Sequence, residues 1–334
     1  MLKQYSSTNT KSYQFSIAPM LDCTDRHFRV LMRQISKKAL LYTEMIVAQS
    51  LHYTQRRDRL LDFDFIEHPI ALQLGGDNPK LLAEAACIAE DWGYDEVNLN
   101  IGCPSPRVQS GNFGACLMAE PKKVACCIES MTKATRLPIT VKHRIGIDNL
   151  DNLELLIEFV DHLSIAGAKR FAVHARKAWL KGLNPKQNRT IPPLQYERVA
   201  ELKAKRPNLL IELNGGLQTP SDCLQALTIF DGAMVGRAAY EHPLRWQHID
   251  EVIFGGSPKS ITASDVIKGI LPYAEKHLNN GGNLWDICKH VIQIVEGVHG
   301  ARKWRHELSV SAQKKNANLK VLEHSAKQLE DAGL

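Results

Sequence analysis

The residues with the most chemistry to offer stand at the ends of short apolar runs. Pro19-Met20, Glu44, Gln73, Asn100, Lys142 with Arg144, His174, Asn214 and Gly236-Arg237 each close one such run. A single residue of this kind reads as a satisfied polar group. Polar closure of every run points to a ligand instead, because buried polar groups need partners and a polar ligand supplies several at once. Asn214-Gly215-Gly216 and Gly236-Arg237 form two glycine-bearing turns. Such turns let backbone N–H groups approach an anion, and Arg237 can add a charge-assisted bond, although Gly-Gly also makes a plain turn. Lys142 and His174 close neighbouring runs. A flavin needs a cation or donor near its N1–C2=O edge, which Lys142 can supply. His174 can bond the flavin or its phosphate, or be a core histidine bonded to backbone. No G-x-G-x-x-G follows any run, so the anion fits a mononucleotide such as FMN better than a dinucleotide.

The elements that must position these residues follow from the spacing. The runs cover 15–19, 40–42, 70–74, 96–100, 139–144, 170–174, 210–214 and 232–235, with helical stretches between them. Asn78-Pro79 and Thr219-Pro220 combine an N-cap with proline at the first helical position, and Gly93 stops the helix that Asn78 starts. Strands alternating with helices imply parallel pairing. Eight units at this length predict an α/β fold, a (β/α)8 TIM barrel over 15–255, with a doubly wound open sheet as the alternative. In a barrel all the C-terminal strand ends meet at one mouth, and the turns after strands seven and eight make the usual phosphate site.

After 254–258 the strand pattern stops. Ser264-Asp265 is expected to cap a helix reaching Tyr273, 279–282 breaks it, and helical patterns resume from Leu284. Residues 260–334 thus read as a small C-terminal helical bundle. Its basic residues include Arg302 and Arg305, for which a solvated face is the plain reading, diluted by Glu307 and Glu323. Residues 1–14 read as a flexible tail.

Composition sets the class. The chain has 334 residues, 44% hydrophobic and 23% charged, as expected of a globular protein. No apolar stretch reaches the length of a membrane helix, and the N-terminus does not resemble a signal peptide, so a cytoplasmic location is expected. A net charge of +6 is compatible with nucleic acid without arguing for it. The eight cysteines show no C-x-x-C pair, which predicts free thiols and no metal site.

The segment from Val97 through Asn100-Ile101-Gly102-Cys103-Pro104-Ser105, continuing through Gly111-Asn112-Phe113-Gly114-Ala115-Cys116, resembles the signature of the tRNA-dihydrouridine synthase family. Ala18-Pro19-Met20, Gln73, Lys142-His143-Arg144, His174-Ala175-Arg176, Asn214-Gly215-Gly216 and Gly236-Arg237 fall in the family's order. Lys186-Gln187-Asn188-Arg189 and Arg302-Lys303-Trp304-Arg305 are similar to the bacterial A-type branch, which modifies tRNA D-loop uridines at positions 20 and 20a. The resemblance implies FMN held by Ala18, Pro19, Met20, Gln73, Lys142, His174, Asn214, Gly215, Gly216, Gly236 and Arg237. NADPH would be the reductant. Cys103 would be the proton donor, with Asn100, Arg144 and Arg176 against the base. Lys186, Arg189, Arg302 and Arg305 would contact tRNA, and no obligate protein partner is evident.

An ordinary thiol, with a pKa of about 8.5, is mostly protonated at neutral pH and can act as an acid. Cys103 lies in a Gly-Cys-Pro turn at the expected mouth. Cys116, at the start of an apolar helix, has the setting of a small core residue. Trp304 can stack on RNA or pin its helix to the core. Two rival readings are a flavin barrel acting on a free small molecule, such as a dihydropyrimidine, and a tRNA-binding protein whose barrel is silent. The basic helical region argues against the first, and the intact set of polar strand ends against the second.

Overall fold

A computed structural model of the protein describes residues 12–258 and 260–334. Eight parallel strands form the barrel: β1 Phe15–Ile17, β2 Leu40–Tyr42, β3 Ile70–Gly75, β4 Glu96–Ile101, β5 Ile139–Arg144, β6 Arg170–His174, β7 Leu210–Asn214 and β8 Gly232–Val235. Each pairs with the next in order, and β8 returns to β1 with Phe15 opposite Ala233 and Ile17 opposite Val235. That last pairing closes the sheet and excludes the open doubly wound alternative. A short strand that the sequence reading missed, Ile46–Val47, pairs with the upper end of β3.

The strands are short and almost wholly buried, as expected where a sheet is covered on both faces. Around them run α1 Arg26–Ile35, α2 Pro79–Trp92, α3 Pro121–Ala134, α4 Leu153–Ile165, α5 Tyr196–Lys205, α6 Pro220–Ala226 and α7 Arg237–Glu241. The expected punctuation is present. The Asn78 side chain accepts from the N–H groups of Lys80 and Leu81, Gly93 ends α2 in the left-handed region at φ 86°, and Thr219 caps α6.

The barrel interior holds a charged layer. Arg170 donates to both carboxylate oxygens of Glu96 at 2.8 Å and to the Tyr42 hydroxyl at 2.9 Å, and it pairs with Glu212 at 3.4 Å. Ser16 donates to Glu212. The residues expected to form a tail lie outside the described residues as far as Lys11. Ser12–Gln14 is a 3-10 turn, and the Arg170 guanidinium lies over the Tyr13 ring, 5.0 Å from the ring centroid.

The C-terminal region consists of α8 Ala263–Asn279, α9 Leu284–Val291, α10 Ala301–Ala312 and α11 Lys320–Asp331. The cap of α8 is Thr262 in a capping box with Asp265, not Ser264, and the helix continues past Pro272 to Asn279. Tyr273 and His277 on α8 pack against His27 of α1, with the Tyr273 hydroxyl 2.9 Å from His27 Nδ1. Asp25 caps α1 and pairs with Lys289 at 2.7 Å and His290 at 2.9 Å. Burial alone would raise the Asp25 carboxyl, but His290 and Lys289 hold it well below the usual carboxylate range. The helical region is thereby bonded to the barrel's first helix.

Candidate active site

Side chains alternate along each strand, so inward positions recur every second residue. Glu96, Asn98 and Asn100 climb the inside of β4, Thr140 and Lys142 the inside of β5, Arg170 and His174 that of β6, and Glu212 and Asn214 that of β7. The charged layer is the lowest step of this ladder and the expected site residues the top.

Gln73, Asn98 and Asn100 bond one another across β3 and β4. The Asn100 Nδ2 donates to Gln73 Oε1 at 2.9 Å, and Gln73 Nε2 donates to Asn98 Oδ1 at 2.8 Å. The Asn100 oxygen accepts the backbone N–H groups of Gly102 and Cys103, both at 3.0 Å. That pair of bonds folds the turn after β4 over the mouth and fixes Cys103 there, half-buried. From the other side, Ala115 N–H donates to the Cys103 carbonyl at 2.9 Å. Gly114 permits this approach: its φ is +75°, and a Cβ would fall 2.6 Å from the Cys103 oxygen.

Cys116 lies not at the start of a regular helix but within a 3-10 segment, Gly114–Ala119. Its thiol donates to the Phe113 carbonyl at 3.2 Å and packs against the core, and burial raises its pKa.

The Lys142 ammonium has no hydrogen bond or ion pair among the described residues. Burial, and after it the Arg144 guanidinium, bring its ammonium down to about 8. His174 is held well below its usual value by burial and then by Arg144 and Lys142, so the ring is neutral. Its Nδ1 is buried without a hydrogen-bond partner. Lys142 and His174 stand on neighbouring strands at the mouth, where a polar ligand could engage both.

The anion turns adjoin them. Gly215 and Gly216 have φ of +109° and +79°, and the Gly215 carbonyl accepts from the Tyr196 hydroxyl at 2.8 Å. Asn214 is buried, and its Nδ2 donates to the Met234 carbonyl at 2.8 Å, tying the end of β7 to β8. Gly236 faces Ala18 and Met20 across the β8–β1 seam, and a Cβ there would lie 3.4 Å from Met20 Sδ. Pro19 stands between them, half-buried, and Arg237 is exposed at the rim.

Arg144 differs from the others. Its Nε donates to the Gly102 carbonyl at 2.9 Å, and its Nη1 to the Lys177 and Asn188 carbonyls at 3.1 and 3.0 Å. It clamps the loop after β4 to the loop after β6, with only part of its fork left for a base. Asn188, fully buried, organises the second loop through bonds to the Trp179 and Leu183 carbonyls. The sequence reading passed over Asn188 as the interior of a basic segment. The loop carries Lys186, which is exposed, and Arg189, whose carbonyl accepts from Arg237 at 3.4 Å. Burial and then Arg237 lower the Arg189 pKa, and Arg189 lies within electrostatic reach of Cys103. Arg176 donates to the Pro192 carbonyl; burial and then Arg237 lower its pKa. The mouth is thus ringed by Arg144, Arg176, Arg189 and Arg237, a strongly positive opening.

Arg302 and Arg305 lie on α10, away from these loops. Trp304 between them is buried and donates from Nε1 to the Ser325 carbonyl at 3.3 Å, so it pins α10 to α11. Arg305 donates to the Val295 carbonyl at 2.8 Å, whereas Arg302 is exposed.

Comparison with solved structures finds the barrel in 2-naphthoyl-CoA reductase, bound there to 2-naphthoyl-CoA. The TM-score is 0.55 at 11% identity, covering 72% of this chain and 50% of that one, a likeness of fold alone. Sequence relatives are much nearer. The tRNA-dihydrouridine(20/20a) synthase of Synechocystis sp. is 52% identical over 308 residues, 92% of each chain. That of Shewanella oneidensis is 49% identical over 92% of this chain and 91% of its own, and that of Escherichia coli K12 is 46% identical over 96% and 92%. Residues 16–330 match the family described as Dihydrouridine synthase, and with relatives this near over almost its whole length the chain belongs to that family.

Proposed function

We propose that this protein reduces D-loop uridines of tRNA, at positions 20 and 20a, to 5,6-dihydrouridine, with FMN in the barrel mouth, NADPH as reductant and Cys103 as proton donor. The observation that carries the chemistry is the Asn100 oxygen holding the Gly102 and Cys103 N–H groups at 3.0 Å, which fixes Cys103 at the mouth that Lys142 and His174 line.

The residues present fit a flavin mononucleotide. Lys142 and His174 have bonding capacity to spare for a polar ring edge. The left-handed Gly215 and Gly216 turn, together with Gly236 and Arg237, suits a phosphate. Ala18, Pro19 and Met20 supply an apolar wall, and Gln73 a buried carboxamide. FMN, once reduced, supplies the hydride that adds at C6 of uracil. Cys103 gives its proton to C5, so the C5=C6 double bond becomes single and the thiol is left to be reprotonated by solvent. Arg176 lies at the same opening, and Arg144, through its remaining donors, is also in reach of a base. Lys186, Arg189, Arg302 and Arg305 make a positively charged path for the tRNA backbone, which must release the target base from its stack. Residues 15–255 would be the catalytic domain and 260–334 the tRNA-binding one.

The deciding experiment is mass mapping of dihydrouridine in unmodified tRNA incubated with the protein and NADPH. Two hydrogens gained at position 20 or 20a are expected. Reduction of free uracil with intact tRNA left unchanged would favour the small-molecule reading.

A further inference from the structure

The seam between the barrel and the helical region gathers three side chains of metal-ligating type from three helices: His27 of α1, His277 of α8 and Asp286 of α9. One ligand atom from each lies within 4.8 Å of the other two. His277 Nε2 stands 3.2 Å from Asp286 Oδ2. Neighbouring ligands of a tetrahedral zinc ion are separated by roughly 3.3 Å. That contact alone is an ordinary ion pair, and His27 is what it leaves over. The Tyr273 hydroxyl engages His27 Nδ1 at 2.9 Å, while Nε2 of this buried ring has no hydrogen bond or ion pair among the described residues. Metal-bound histidines have this form, with one nitrogen on the ion and the other held by an outer group. The two remaining side chains are held as well. The chain at Gly282 passes so close to the His277 ring that a Cβ there would fall 2.2 Å from it. The Asn283 N–H donates to Asp286 Oδ2 at 3.2 Å and orients the carboxylate.

We propose that His27 Nε2, His277 and Asp286 bind one Zn2+ ion that joins the barrel to the helical region. Two imidazoles and a carboxylate are a donor set that zinc takes, and three protein ligands leave the fourth position to water. The site borders a cavity lined by Asn280, Gly281 and Asn283, through which ion and water can enter. The neighbouring cations do not oppose the ion, since Arg26 pairs with Asp62 at 2.6 Å and Lys276 with Asp64 at 3.3 Å. No spacing in the sequence marks the set, because one ligand comes from the barrel and two from the helical region. For the same reason the ion acts on the whole molecule: it binds fully only when the two regions are docked, and so holds them docked. Nothing in the site depends on the reaction proposed above.

The test uses the purified full-length chain, stripped with EDTA and titrated with ZnCl2 in a calorimeter. One equivalent should bind, and the melting temperature should climb with zinc concentration. His277→Gln and Asp286→Asn, the second of which keeps an oxygen for the α9 cap, should each weaken zinc binding at least about tenfold, since even outer-shell changes cost that much. Both should also lose the melting shift. His52→Gln, which removes a surface histidine paired with Glu84, should bind zinc as wild type does. X-ray absorption of the one-equivalent complex distinguishes the site from the free thiols. Nitrogen and oxygen neighbours at about 2.0–2.1 Å are expected, with no sulfur at about 2.3 Å. Absence of one-to-one binding, a sulfur shell, or equal affinity in wild type and a folded His277→Gln would overturn the assignment, as would loss of binding in His52→Gln. Should His277→Gln not fold, Asp286→Asn and the absorption spectrum decide by the same criteria.

Discussion

Cys103 and Cys116 flank the Phe113 turn in unlike surroundings. Cys103 is held by its backbone at the mouth, while the Cys116 thiol is occupied as a donor to the Phe113 carbonyl. Cys103→Ala should leave flavin reduction by NADPH unchanged and slow reoxidation by tRNA by roughly 10²–10⁴-fold, the usual worth of a positioned acid. Cys116→Ala should turn over tRNA at near the wild-type rate; stopped-flow flavin absorbance reads both steps. Lys142 gives a pH signature. Its ammonium, at about 8 instead of 10.5, is charged at neutral pH and lost as pH rises through about 8. Flavin affinity should therefore weaken above pH 8, by up to about tenfold per pH unit, and Lys142→Met should bind more weakly with no such slope. Stability moves the other way. In the flavin-free protein the folded state gives up this proton before the unfolded chain does. Charging Lys142 therefore costs stability below about 8, and the cost fades as pH climbs towards 10.5. Flavin fluorescence titrations and melts across pH 7–10 separate the two effects.

At the scale of elements, the barrel strands were legible as short apolar runs, several of them set off by helix caps, and caps are local chemistry. Asn78 and Thr219 bond their own next turn, so sequence neighbours suffice to locate them. The strand-end residues were legible for a similar reason, since parallel topology brings all strand ends together. What lies below them was not. Glu96, Thr140, Arg170 and Glu212 stand two or four positions before the expected site residues, and only barrel closure reveals that they meet. The resemblance sets Arg144 against the base, but its second task, as a clamp between loops, was hidden. Its bonds to Gly102, Lys177 and Asn188 depend on two long loops whose course no periodicity encodes. Gly216 links both kinds of knowledge. The sequence marks it as part of an anion turn, and the structure adds that a Cβ there would fall 2.3 Å from the Tyr196 hydroxyl and 2.5 Å from Leu194, at φ +79°. Gly216→Ala should destabilise the protein by about 1–3 kcal/mol and cost flavin binding, read by thermal melts and flavin content. A variant that melts and loads like wild type would remove the turn from the site.

For the whole molecule, the question is how a barrel mouth and a helical region that begins at Ala263, 28 residues of chain beyond the last strand, act on one RNA. The seam between them is built from specific bonds, Asp25 to Lys289 and His290 and Tyr273 to His27, so α10 is presented at a fixed distance from the arginine ring at the mouth. Within α10 the two arginines are not equivalent. Arg305 spends a donor on the Val295 carbonyl, which fastens α10 to the segment after α9, while Arg302 is exposed and has no bond or ion pair among the described residues. Glu307, a plausible quencher of both in sequence, lies 3.8 Å from Lys303 and accepts from Gln328. Arg302 is therefore free for a phosphate. Arg302→Ala should leave the melting temperature and flavin content unchanged and weaken tRNA binding uniformly. The slope of log affinity against log salt should flatten by about 0.7–0.9, one phosphate contact. Arg305→Ala should lower the melting temperature as well, because it removes a half-buried hydrogen bond to backbone. Filter binding over a salt series, run beside melts, separates the two residues. An Arg302 variant with the wild-type salt slope would place the RNA elsewhere on the helical region.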